Sequence, residues 1–327
     1  MDNLKIIEPY LEKYSDLPTR TLARMVYRDN PHIFTSEEDV RWVIRYYRGA
    51  AGDINRRRAS RIYARNVKGP VNPFGLPDSD EMEYDPFIIP AGNSPLLILS
   101  DIHIPYHSIS AITAALQWAK DREVGSILLN GDTIDFHRLS RFTQDPRARE
   151  PITEMEMAEE LLYTLREHFP HCPIYFKIGN HDERFENWMK MKAPELYDIK
   201  GFSLDTQLQF GKYGVQIIPD RRIIKAGKLN ILHGHEMFGG GGGINPARWL
   251  FLRTGGNAIC GHFHRTSEHA EPNINGELSA CWSTGCLSEL HPHYAAINKW
   301  NHGFARVSFD SDIFKVTNLK IQDGRVL

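Results

Sequence analysis

The 327-residue chain is short of cysteine, of net charge and of long apolar runs. Stretches such as PLLILS (95–100) are far too short to cross a bilayer, so no membrane association is expected. The four cysteines, Cys172, Cys260, Cys281 and Cys286, contain no C-x-x-C pair, and reduced thiols in a cytoplasmic setting are expected. The opening MDNLKIIEPYLEKY is mixed and acidic, unlike a secretory signal. A formal net charge of −2 argues against nucleic-acid binding over the whole surface but leaves room for a local patch. No internal repeat is visible. What is present is an ordinary soluble composition, 41% hydrophobic and 24% charged, at a length suited to one large domain or a medium one with an appendage.

Residues 1–68 read as helical and polar. In LPTRTLARMVYRDNP, Leu22, Met25 and Val26 recur at helical spacing. In SEEDVRWVIRYYRG, Ser36 stands three before Asp39, an N-cap with an acidic first turn. Val40, Val43, Ile44 and Tyr47 form its apolar stripe and Gly49 ends it. Two helices around a turn are similar to a helix-turn-helix. Residues 69–92 are rich in proline and acid and read as a linker.

From residue 93, PLLILS, SILLN, PIYFKI, LNILH and NAIC are short apolar runs, with helical stretches at about 108–122, 152–169 and 184–192 between the early ones. The alternation predicts a mixed α/β sheet with helices on its faces. LSACWSTG, GFARVSF and IFKVTNLKI, with no helices between them, predict a second sheet. The expected fold over residues 93–327 is a two-sheet α/β sandwich with flanking helices, joined to the small N-terminal helical segment.

Chemistry gathers where the runs end. They lead into DIHIP (Asp101, His103), GDTID (Asp132, Asp135), GNHD (Asn180, His181, Asp182), HGH (His233, His235) and GHFH (His262, His264). In an extended chain residues two apart point the same way, so the Asp-x-His and His-x-His pairs can each converge on one ion. Any single fragment could be a turn or a cap. Five consecutive strand ends bearing Asp, His or Asn point to a metal site, because ligands in open α/β sheets collect beyond the carboxyl ends of the strands. Oxygen and nitrogen donors disfavour a purely thiophilic metal.

Taken in this order over roughly residues 95–310, the five motifs resemble the calcineurin-like metallophosphoesterases. GNHDERF, STGCL and NKWNHGFARV are similar to compact members often encoded by phages and prophages. The resemblance implies two divalent ions, manganese ahead of iron, zinc or nickel. Asp101, His103 and His264 would hold one, Asn180, His233 and His262 the other, and Asp132 would bridge them, with His233 preferred to His235. A bridging hydroxide would be the nucleophile. His181 would protonate the leaving oxygen, and Asp182 would orient His181 or support the site from behind. Asp135, His107, His137, Arg184 and His235 are candidates for substrate contact or support. The glycine run 239–243 reads as a rim loop, since the lysine of a phosphate-cradling loop is missing.

Residues 41–68 hold nine Arg or Lys against one acid, Asp53, a net charge of +8. Arg45, Arg48, Arg56, Arg57, Arg58, Arg61 and Arg65, with interleaved tyrosines, suit contact with DNA or RNA. Packing on the catalytic domain or on a second copy in a homo-oligomer is the alternative. The resemblance implies hydrolysis of a phosphate ester, with a phosphodiester of nucleic acid or nucleotide favoured because the family includes DNA-repair nucleases. A phosphomonoesterase acting on nucleotides or phosphoproteins, or a catalytically silent nucleic-acid-binding protein, is the alternative.

Overall fold

The computed structural model of the protein describes all residues except 1–2, 15–16, 51–84, 142–146, 198, 220, 238–242, 273 and 293–294. The chain divides into two compact units, 1–81 and 82–327.

In the first unit, α1 (Asn3–Lys13), α2 (Thr19–Asp29) and α3 (Glu37–Tyr47) form around apolar stripes at helical spacing. Ile7, Leu11, Leu22, Val26, Val40 and Ile44 are buried together in a core of their own. Ser36 Oγ accepts from the Asp39 N–H at 3.1 Å and caps α3. Arg48 corrects its expected role as a nucleic-acid contact. Its side chain is buried, and the guanidinium donates to the carbonyls of Leu17 at 2.8 Å and Tyr14 at 3.4 Å and to Thr19 Oγ1 at 3.1 Å, tying the helix ends together. Arg45 is exposed and donates to the Ala50 carbonyl at 3.2 Å. Arg56, Arg57, Arg58, Arg61, Arg65 and most of the expected linker lie outside the described residues.

The second unit begins with β1 (Phe87–Ile88), β2 (Leu96–Leu99), α4 (Ile109–Lys120), β3 (Ser126–Asn130), α5 (Pro151–His168), β4 (Ile174–Lys177) and α6 (Glu183–Lys192). It continues through β5 (Val215–Ile218), β6 (Ile224–Ala226), β7 (Leu229–Leu232), α7 (Pro246–Thr254), β8 (Ala258–Cys260) and β9 (Ser267–Pro272). The last strands are β10 (Leu278–Ser283), β11 (His302–Phe309), β12 (Phe314–Gln322) and β13 (Arg325–Val326).

Two sheets result, in the orders β13-β12-β11-β2-β3-β4-β5 and β1-β6-β7-β8-β10-β9. In the first, β2 to β5 are parallel, as their helical crossovers require. One face buries Leu97, Leu99, Ile127, Leu129 and Phe176 against Ala111, Ala115, Leu162 and Leu165 of α4 and α5. The other face sends Leu96, Ile98, Leu128 and Val307 against Ile224, Leu229, Ile231 and Ile259 of the second sheet. Leu232, Ala258 and Cys281 on the far side of that sheet pack on Leu250 of α7. The layers are helix, sheet, sheet, helix, as the two-sheet sandwich requires.

Strand membership differs from the expectation in two respects. LNILH and NAIC, as β7 and β8, belong to the second sheet beside β10, whereas GFARVSF and IFKVTNLKI extend the first sheet antiparallel beyond β2. Both sheets have apolar side chains on both faces, so their runs read alike in sequence. Phe87 to Ile89, expected in the linker, are instead part of the fold. Phe87 and Ile88 pair parallel with β6, and Ile89 is buried between the sheets. So short an edge strand between Pro86 and Pro90 carries no readable period.

Candidate metal centre

Strand register brings the strand-end residues together. Leu99 lies opposite Leu129, and Leu129 opposite Phe176, so the segments bearing Asp101, Asp132 and Asn180 leave the first sheet side by side. In the second sheet Leu232 lies opposite Cys260, and the segments bearing His233 and His262 leave together. Because the sheets pack face to face, the two sets of ends meet.

Beyond the strands the chain is not extended. Asp101 (φ 56°), His103 (φ 53°), Asp132 (φ 52°), His262 (φ 67°) and His264 (φ 55°) all adopt left-handed backbone. That region costs a non-glycine residue about 1–3 kcal/mol and persists only where the surroundings enforce it. Convergence of the Asp-x-His and His-x-His pairs therefore comes from curled rather than extended chain. Neighbouring glycines leave the room this needs. A Cβ on Gly131 would stand 2.5 Å from His233 Nδ1, and one on Gly261 would stand 2.6 Å from Asp101 Oδ2.

Ligand atoms of Asp101, His103 and His264 lie within 4.8 Å of one another, as do those of Asp132, His233 and His262. A third such group, His103, Asp132 and His181, links the two. Asp132 Oδ2 is 3.1 Å from His233 Nε2 and 3.8 Å from His103 Nε2, between the sets. Asn180 Oδ1 is 3.2 Å from His233 Nε2. On the other side, His103 Nε2 and His264 Nε2 face each other at 3.2 Å, and His264 Nε2 is 3.3 Å from Asp101 Oδ1.

The donor set fits divalent cations. Two of the inward rings are held from behind through the other nitrogen, His233 Nδ1 by the Asn130 carbonyl at 2.8 Å and His103 Nδ1 by Asp135 Oδ2 at 3.0 Å. The His262 N–H donates to the Asp101 carboxylate at 2.9 Å and 3.0 Å. Electrostatics point the same way. Burial disfavours a charged imidazole, yet the Asp132 carboxylate raises His233 to about 10 and Asp101 raises His264 to about 10. Burial and the neighbouring charge of His233 lower His262 to about 4. Two buried carboxylates thus call for positive charge at the positions a metal ion would fill.

His181 lies at the junction. Its N–H donates to Asp132 Oδ1 at 2.8 Å, its Nδ1 is 3.1 Å from Asp135 Oδ2, and its Nε2 is 3.1 Å from an Arg184 nitrogen. Arg184 also donates to the Asp135 carbonyl at 2.7 Å and to Asp135 Oδ1 at 3.2 Å. Burial opposes ionisation of Asp135, but the hydrogen bonds with His103 and His181 hold it well below the usual carboxylate range. Asp135, not Asp182, is the carboxylate on the His181 ring. Asp182 instead accepts from the N–H groups of Gly179 at 2.9 Å, Ile134 at 3.0 Å and Thr133 at 3.4 Å. Burial and the charge of Asp132 raise it to about 7. It ties the loop after β4 to the loop after β3.

His235 turns away from the two sets. Its Nε2 meets Glu183 at 3.1 Å, and Arg221 grips Glu183 through two bonds of 2.8 Å. His107 is half-buried and pairs with Ser288 through an isolated bridge, and His137 opens the helical turn His137–Leu139 beyond Asp135. Three features had not been singled out in the sequence: Trp300, whose ring lies 4.1 Å from that of His264, the Lys177–Glu236 pair, and Glu154. An isolated lysine inside the apolar run PIYFKI was the available signal for the pair; Glu154 is one of several acids in its helix.

Glu154 is fully buried and accepts from the Phe136 N–H at 2.6 Å. Burial raises it from 4.5 to about 8. Between those values the folded chain holds a proton that the unfolded chain has released, so stability falls as pH rises through this window. Glu154→Gln keeps an acceptor and removes the penalty. The variant should match the wild type near pH 5 and exceed it by about 2–4 kcal/mol near pH 9. Thermal melts of both proteins across that range check this, and parallel curves would rule it out.

A family model described as calcineurin-like phosphoesterase matches residues 94–266. No curated protein matches the sequence. Among solved structures, the chain is similar to Vps29 from Entamoeba histolytica complexed with zinc, at 13% identity over 71% of this chain and 96% of that one, with a TM-score of 0.38. It is similar also to Vacuolar Protein Sorting 29 from Cryptosporidium parvum, at 14% identity over 71% and 94% with a TM-score of 0.39. Chaetomium thermophilum Vps29 shows 11% identity over 71% and 94% with a TM-score of 0.38.

Proposed function

This chain belongs to the calcineurin-like phosphoesterase family, and on that premise we propose that it is a dinuclear metal-dependent hydrolase of phosphodiesters. Asp101, His103 and His264 would hold one divalent ion, Asn180, His233 and His262 a second, and Asp132 would serve both. Manganese is the favoured metal. When bound, such ions supply Lewis-acid polarisation of the phosphoryl group and lower the pKa of water.

The observation that carries this reading is the placement of one buried carboxylate. Asp132 Oδ2 lies between the two donor sets while its Oδ1 receives the His181 N–H at 2.8 Å. The protein's own part follows from the groups around it. Asp135 accepts the Nδ1 proton of His181, which leaves Nε2 as the atom that exchanges a proton with the leaving oxygen. Arg184 occupies that direction at 3.1 Å and is anchored to Asp135 through its other nitrogen. Substrate would take the place of this contact, with the guanidinium donating to a phosphoryl oxygen and the imidazole facing the leaving group.

Nucleic acid is the favoured substrate because of the +8 segment 41–68. The acidic first turn of α3, with Glu37, Glu38 and Asp39, would repel phosphate at the helix end that a groove-reading helix inserts, so the basic residues beyond α3 are the better contact. The test is hydrolysis of bis(p-nitrophenyl) phosphate and p-nitrophenyl phosphate with Mn²⁺ and with chelator, repeated on a chain lacking residues 1–81. Metal-dependent diester cleavage that survives truncation, with weakened oligonucleotide binding, is expected. Faster turnover of the monoester would favour a phosphomonoesterase, and no metal-dependent turnover of either would favour a silent binding protein.

A further inference from the structure

Lys177 ends β4 and has no exposed surface. Burying an ammonium is unfavourable unless it is well paired. Its Nζ lies 2.8 Å from Glu236 Oε1 and donates to the Arg222 carbonyl at 2.6 Å. Glu236 follows β7 in the opposite sheet, and its carboxylate closes the turn that presents His233. Oε1 accepts from the His233 N–H at 2.9 Å, and Oε2 from the Gly234 N–H at 2.6 Å. Lys177 stands three residues before Asn180, whose Oδ1 is 3.2 Å from His233 Nε2. One buried ion pair therefore joins two backbone segments, one from each sheet, and each carries a donor of the same set.

We propose that Lys177 and Glu236 are positioning residues that set the spacing of Asn180 and His233 across the two sheets, and with it the affinity of that half of the centre for its ion. The proposal rests on reading the centre as a metal site. A buried ion pair is weak evidence for a stabilising role, since apolar side chains of similar volume often hold a fold equally well or better. Asp101 and His103 are held by other groups, the His262 N–H and Asp135. The effect should therefore fall on one ion.

The test is Mn²⁺ titration of the metal-free full chain, counting bound ions by equilibrium dialysis, for the wild type, Lys177→Met, Glu236→Gln and the double variant. In each variant one binding step should weaken about 10–100-fold, the range for groups that orient ligands, while the other stays within about twofold. Folded variants in which both steps are unchanged, or both weaken alike, would overturn the proposal. If a single variant unfolds because it strands a buried charge, the double variant strands none and decides by the same outcomes. A wild-type chain binding fewer than two ions would instead remove the dinuclear reading and the proposal with it.

Discussion

Asp132→Asn should bind fewer than two ions per chain and lose phosphoesterase activity by about 10³-fold or more, beyond the 10–100-fold expected of a residue that only supports a ligand. The side chain keeps its shape, but the amide removes the charge and turns one acceptor into a donor. Both carboxylate oxygens are committed, Oδ1 to the His181 N–H at 2.8 Å and Oδ2 to the space between His233 and His103. Either orientation of the amide fails on this reading: an NH₂ at Oδ1 faces another donor, and one at Oδ2 faces the position proposed for a cation. Metal content by elemental analysis and turnover of bis(p-nitrophenyl) phosphate check both halves of the expectation. A purified variant with two ions and normal turnover would refute the bridging role.

His181→Ala should leave both ions in place and slow turnover by roughly 10²–10⁴, the range for losing a general acid. The backbone N–H that holds Asp132 survives the substitution; the ring between Asp135 and Arg184 does not. The deficit should shrink for p-nitrophenyl esters, whose leaving group needs little protonation, and be largest for alkyl esters. Equal deficits would argue against proton donation. Loss of an ion would instead make the imidazole a ligand, a role its proximity to His103 and Asp132 also permits.

The sandwich and the clustered residues were legible because each lies directly beyond an apolar run, where a side chain is committed to the end of a buried strand. Asp101, His103, Asp132, Asn180, His262 and His264 could be picked out on that ground, whereas the preference for His233 over His235 came from the family resemblance. Which sheet each strand joins was not legible, since pairing depends on partners far away in sequence: β11 meets β2 across some two hundred residues. The Lys177–Glu236 pair was hidden in the same way, its partners lying 59 residues apart on segments from different sheets. Arg48 misled because a buried arginine and an exposed one look alike until the carbonyls it binds are in view. Orienting His181, one of the two roles expected of Asp182, misled through adjacency, as neighbours on a tight turn face different directions. Arg56 to Arg65 and the glycine run up to Gly242 lie outside the described residues and rest on sequence alone.

The left-handed backbone at five of the clustered residues gives the fold a built-in conflict between durability and chemistry. Glycine would relieve backbone strain at positions 101, 103, 132, 262 and 264. A library of this chain sorted only for heat resistance would therefore enrich glycine at the positions that hold acids and imidazoles, and its winners would be sturdy sandwiches with an emptied centre. Sorting for metal retention would pull the same five positions the other way.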